Sequence, residues 1–148
     1  MYRCPVCPDA VDRIRGGADA PHLSGEVRFY QECGEVLVVA DISGIPFCAG
    51  TGFFALHIHE GSSCGGDGFA RAGGHYNPKE TVHPSHAGDL PPLMQYRDRA
   101  FLAVRTDRFC VQEVVGKTVV IHNEPDDFRS QPAGNAGKKI ACGVICGM

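Results

Sequence analysis

The 148-residue chain contains no tryptophan, and aromatic residues make up only 8% of it. Its core must therefore be built mainly from aliphatic side chains. It has no run of about 18 consecutive apolar residues, so no helix of it spans a bilayer. Positive charge is not in excess: 14 Lys and Arg stand against 17 Asp and Glu, a net of −3. That balance argues against a basic nucleic-acid surface and against a polybasic membrane anchor. The opening MYRCPVCPDAV lacks a basic-then-apolar leader, so a cytoplasmic location is expected, with a periplasmic or secreted one as the alternative where a leader has been removed. No internal repeat and no low-complexity tract occurs.

Abundant instead are turn formers, with 19 Gly and 10 Pro. They leave little room for long amphipathic helices and favour an all-β class. The length suits one domain, 1–148, with a cysteine-containing extension over 1–8. Six segments read as short strands: 25–30 (GEVRFY), 36–42 (VLVVADI), 52–59 (GFFALHIH), 100–106 (AFLAVRT), 118–122 (TVVIH) and 140–145 (IACGVI). Their β-branched and aromatic content fits half-buried strands, and turn residues separate them. Six or more such strands predict a β-sandwich or barrel.

Two stretches break this rhythm. Residues 61–93 hold seven Gly and four Pro without periodicity, and 123–137 (NEPDDFRSQPAGNAG) is similar on a smaller scale. A loop of the first length in a compact domain is uncommon unless functional or tied down. Six of the seven histidines lie at strand ends or in the longer loop: His57, His59, His75, His83, His86 and His122. His57 and His59 are two apart on a strand and so project from one face. The loop adds three histidines and Asp89 within fifteen residues. Imidazole suits zinc and copper, and a carboxylate completes a zinc set. A loop cross-linked by an ion does not need a hydrogen-bond ladder of its own. His22 lies outside this grouping and reads as an ordinary loop residue.

The motifs LHIHEG, AGGHYNP, HAGDLPPL, GKTVVIH and GNAGKKIACGVI, in that order, resemble the copper/zinc superoxide dismutase family across nearly the whole chain. The resemblance implies a Greek-key β-sandwich or flattened barrel of about eight antiparallel strands with two long functional loops. It implies copper held by His57, His59, His75 and His122, and zinc held by His75, His83, His86 and Asp89, with His75 shared as a bridging imidazolate. Asp126 matches an aspartate that accepts hydrogen bonds from one copper and one zinc histidine, here His57 and His83. Cys64 and Cys142 match the family's disulfide pair. The interval between His83 and His86 is shorter than is usual in the family.

The activity so implied is dismutation of superoxide to dioxygen and hydrogen peroxide by Cu(II)/Cu(I) cycling, with His75 taking up a proton and zinc playing a structural part. Lys139 stands where the family usually has an arginine. It keeps the charge but not the planar fork that holds an anion with two donors, so slower turnover is expected. From Phe128 onward the chain has no Asp or Glu but carries Arg129, Lys138 and Lys139, a local bias suited to an anionic substrate. A dismutase-like protein that binds or stores the two metals is the alternative reading. Enzymes of the family are often dimers, so a homodimer is expected as well. Cys4 and Cys7 form CPVC, a dithiol without a matching second pair. Cys33, Cys48, Cys110 and Cys146 read either as buried apolar fillers or as partners for that dithiol.

Overall fold

The computed structural model describes residues 7–46 and 50–148. Among the described residues nine strands run in chain order: β1 (Ala10–Gly16), β2 (Ser24–Gln31), β3 (Val36–Ser43), β4 (Phe53–Phe54), β5 (Leu56–His59), β6 (Leu93–Tyr96), β7 (Arg99–Thr106), β8 (Thr118–His122) and β9 (Lys139–Gly147). One turn of helix, α1 (Val111–Val114), precedes β8, and two short 3-10 turns occupy Asp67–Ala72. Among the described residues no helix is long and apolar enough to cross a membrane.

Every named pairing is antiparallel, and the order across the sheet is β4-β6-β7-β3-β2-β1-β9-β8-β5. The β3–β7 and β1–β9 pairs are the long crossovers that make the arrangement a Greek key. The two outermost strands, β4 and β5, are separated by Ala55 alone. Its N–H donates to Glu124 O at 2.9 Å, and its carbonyl accepts from His122 N–H at 2.9 Å. One run of chain thus pairs with β6 before Ala55 and with β8 after it, and so closes the sheet into a barrel. The single strand expected over 52–59 is in fact this seam.

Period-two patterning fills the interior. Val27 and Phe29 of β2, Val36, Val38, Ala40 and Ile42 of β3, Leu56 and Ile58 of β5, and Val119 and Ile121 of β8 belong to one buried cluster. The alternate residues of β5 and β8, namely His57, His59, Val120 and His122, therefore face outward beneath the two long loops. The longer loop is fastened largely by its backbone. Ile58 N–H donates to Gly88 O, Tyr76 N–H to Ile58 O and Gly61 N–H to Ala72 O, each at 2.8 Å. A ladder to β5 thus does part of the work expected of a metal.

One carboxyl interrupts the apolar interior. Asp12 lies on β1 between Ala10 and Ile14 and is fully buried. Its Oδ2 accepts from Val119 N–H at 3.2 Å, and its Oδ1 has no partner. Gly143 leaves it room, because a Cβ there would stand 1.7 Å from Asp12 Oδ1. Burial, only partly offset by the Val119 N–H, pushes this carboxyl up to about 7.

An unfolded aspartate titrates near about 3.9. Between those two values the folded chain keeps a proton that the unfolded chain has lost, so stability falls as pH rises and the loss is complete above about 7. A shift of that size corresponds to roughly 4 kcal/mol. Asp12→Asn, which cannot ionise, is expected to gain urea stability relative to the unaltered chain from pH 5 to pH 8. Parallel stability curves would contradict this account.

Candidate metal centre

Each element delivers its donors for a local reason. Strand alternation puts His57 and His59 on one face of β5, opposite Val120 and Thr118 of β8. His122 ends β8 on the same outward face. A register shift between Ile121 and His122 sets His122 against Lys139 of β9, in line with the way bulges re-aim side chains. The long loop returns to β5 twice, pairing His75 with His59 and Asp89 with His57. Two groups result, each with donor atoms within 4.8 Å of one another: His57, His59, His75 and His122, and His75, His83, His86 and Asp89. His75 is common to both.

Hydrogen bonds fix which ring nitrogen of each histidine is free. An ionised carboxylate only accepts, so His57 Nε2–H donates to Asp126 Oδ2 and His83 Nε2–H to Asp126 Oδ1, both at 2.8 Å. Nδ1 of both rings is buried without a hydrogen-bond partner. His59 Nδ1–H donates to Gly73 O at 2.8 Å and His122 Nδ1–H to Gly137 O at 3.2 Å. That leaves the two Nε2 lone pairs facing each other at 3.2 Å. Two nitrogens bound at ~2.05 Å to one tetrahedral ion would be roughly 3.3 Å apart, so the contact has the spacing of a ligand pair. His75 Nε2 is a further buried nitrogen without a partner, while its Nδ1 lies 2.8 Å from Asp89 Oδ1 and 3.2 Å from His86 Nδ1. Asp89 Oδ2 lies 3.1 Å from His83 Nδ1 and 3.3 Å from His86 Nδ1.

Electrostatics favour neutral, ligating imidazoles. Burial, reinforced by neighbouring histidines, lowers His59 to about 2 and His122 to about 3. Burial likewise lowers His57 and His86. A neutral imidazole is the form that binds metal. Burial alone would raise the Asp126 carboxyl, but hydrogen bonds from His57, His83 and the Phe128 N–H outweigh it and hold the group well below the usual carboxylate range. Asp89 is lowered against the same opposing burial by His75, His83 and His86. Gly134 admits this arrangement: its φ is +69°, and a Cβ would fall 2.1 Å from Asp126 Oδ1 and 2.7 Å from His83 Nε2.

The structure brings His57, His59, His75, His83, His86, Asp89, His122 and Asp126 into one cluster on the outside of the barrel. Cys64 and Cys142 form a disulfide with Cα atoms 5.8 Å apart. The other thiols differ from expectation. Among the described residues Cys7, Cys33, Cys110 and Cys146 are exposed and free, so Cys33, Cys110 and Cys146 are not core fillers and have no disulfide partner there. They lie at strand margins and turns, where a side chain meets solvent. Cys4 and Cys48 lie outside the described residues, and the CPVC reading with them. Two residues of the site carried no signal in the sequence: Gln131 and Arg108 bond to the backbone around His83 and His86 from 48 and from 22–24 positions away.

A family model described as copper/zinc superoxide dismutase matches residues 23–145. The chain belongs to the copper/zinc superoxide dismutase family. It is 34% identical to a Cu-Zn superoxide dismutase of Aquifex aeolicus, over 89% of this chain and 86% of that protein. It is 31% identical to the Cu-Zn superoxide dismutase of Caulobacter vibrioides, over 92% of this chain and 83% of that one. The Legionella pneumophila Cu-Zn superoxide dismutase is 32% identical, over 95% and 88%. Within this family the two donor groups are of the right kinds, four imidazoles for copper and three imidazoles with a carboxylate for zinc.

Proposed function

We propose that the chain is a superoxide dismutase, one domain over 1–148 with an extension at 1–8, that holds copper at His57, His59, His75 and His122 and zinc at His75, His83, His86 and Asp89. The observation that carries the reading is the pair of buried donor groups meeting at His75, with unpartnered ring nitrogens aimed inward. Copper, when bound, supplies one-electron redox chemistry, so that one superoxide leaves as dioxygen and a second, with two protons, leaves as hydrogen peroxide.

The protein's part is positioning and charge. Asp126 fixes the rings of His57 and His83 at once and thereby couples the two donor groups. His75 faces Asp89 through Nδ1 and leaves Nε2 free, which suits it to carry a proton on the copper side. Lys139, half-buried opposite His122, offers the positive charge beside the site, and burial lowers its pKa. It shares a surface cavity with Asp19 and Asp67, so the field there is less positive than the stretch after Phe128 implies by itself.

Metal analysis of the purified chain, with a superoxide-consumption assay on the copper- and zinc-loaded form, tests the reading. Full occupancy without dismutation would favour metal storage instead. Lys139→Arg is expected to raise kcat/KM about fivefold, the equivalent of one further charge-assisted hydrogen bond of ~1 kcal/mol in the rate-limiting complex. An unchanged rate would remove anion orientation from the account.

The proposed assembly is a homodimer, for which Phe53, Met94, Tyr96 and Phe101 supply exposed apolar surface on β4, β6 and β7; sedimentation velocity decides between one copy and two. The proposed compartment is the cytoplasm, where exposed thiols stay reduced while Cys142, 4% exposed, shields its half of the bridge to Cys64. Cell fractionation checks it.

A further inference from the structure

The turn that carries His83 and His86 is four residues long, His83-Pro84-Ser85-His86, and none of its backbone polar groups is left without a partner. Gln131 Nε2 donates to His83 O at 2.7 Å, and Gln131 Oε1 accepts from His83 N–H at 2.9 Å. One amide thus pairs with both polar groups of His83 as a neighbouring strand would. Arg108 Nη1 donates to Pro84 O at 2.8 Å and to His86 O at 3.1 Å. Thr81 Oγ1 donates to Ser85 O at 2.8 Å. Ser85 N–H reaches Val82 O at 2.8 Å and His86 N–H reaches Asp89 Oδ2 at 3.0 Å, while Pro84 has no N–H to satisfy.

Two of these braces come from distant parts of the fold. Arg108 sits between β7 and α1, and Gln131 lies in the shorter of the two long loops. Both are exposed, so burial does not explain what they do. Among the described residues Arg108 makes no ion pair; its bonds go to the two carbonyls of the turn. Only Pro84 and Ser85 separate His83 from His86, so the turn has little freedom to adjust around an ion. A turn already held in shape loses less conformational freedom when the ion arrives. Side chains that orient ligands from behind typically govern metal affinity by about 10–100-fold.

We propose that Arg108 and Gln131 are positioning residues for zinc, holding the His83–His86 turn in its ligating shape before the ion binds. The proposal rests on the assignment of zinc to His75, His83, His86 and Asp89.

Zinc affinity of the full, disulfide-intact chain, by chelator competition, is measured alongside the visible spectrum of Co(II) bound in place of zinc, whose bands report ligand geometry. Arg108→Met and Gln131→Glu are each expected to weaken zinc by about tenfold or more and to shift the cobalt bands. Gln131→Glu keeps the shape but sets an acceptor against His83 O. Arg108→Lys, which can still donate to the two carbonyls, is expected to recover part of the affinity and the band positions. Unchanged affinity and bands in Arg108→Met and Gln131→Glu would overturn the proposal. Equal losses in Arg108→Lys and Arg108→Met, with the cobalt bands unmoved in both, would also overturn it by reducing Arg108 to a general stabiliser. An unaltered chain that takes up neither zinc nor cobalt would sink the zinc assignment itself, and the proposal with it.

Discussion

His75→Ala is expected to reduce dismutation by about 10²–10⁴-fold, the range for loss of a positioned proton carrier, and to empty the zinc site as well. Among the described residues no other belongs to both donor groups. Removing it leaves three imidazoles on one side, and two imidazoles with a carboxylate on the other. It also deletes the ring between them, whose centroid lies 3.9 Å from that of His57 and 5.3 Å from that of His86. Asp89 would keep His83 and His86 but lose its 2.8 Å contact to Nδ1. Metal analysis and superoxide consumption on the same preparation check the result. A variant that retained zinc and more than a tenth of the activity would show that the two groups work independently.

Cys64→Ser combined with Cys142→Ser is expected to lower stability by about 4–5 kcal/mol in the chain-entropy model. The bridge spans a sequence separation of 78 residues. It also ends in a small buried cluster of Ala72, Val120 and Cys142, with Phe69 packed beside it, on the same outward face as His57 and His122. Losing the bridge should therefore speed amide exchange in residues 61–76 more than in the barrel strands. Urea unfolding gives the magnitude and hydrogen exchange the location. Unchanged exchange in that loop would leave the bridge an effect on the unfolded chain alone.

The parts of the fold legible in the sequence were those with local pattern. β2, β3, β7 and β8 are marked by β-branched and aromatic residues, alternating in β3 and β7 and continuous in β8, and their spans match the expected segments within two residues. β1 and β6 were not legible. AVDRIRG carries an aspartate at an inward position and two exposed arginines, and LMQY follows two prolines within a loop. Both strands exist because the barrel supplies them with neighbours, and the nine strands described agree with the expected barrel of about eight. The break at Ala55 was hidden for the same reason: FFALHIH reads as one uninterrupted extended run, and only the partners on either side change.

At the site, residue types and the strand spacing of His57 and His59 were open to reading, because a two-residue interval dictates a shared face. The free nitrogen of each ring was not, since it depends on carbonyls and carboxylates brought from 14 to 69 residues away. Arg108 and Gln131 leave no trace in the sequence because they act on backbone atoms, which carry no residue-specific mark. Asp12 was hidden by its company: a charged residue among arginines on an antiparallel strand looks solvated until the inward face is known.

The seam at Ala55 has a further consequence. Because both margins of the sheet are one continuous piece of backbone, and loop residues bond along the far side of β5, that margin offers little bare edge onto which a strand from another molecule could be recruited. A ring without a loose end resists edge-to-edge polymerisation by its connectivity alone. Whatever loosens the loop along β5 would open a template for it.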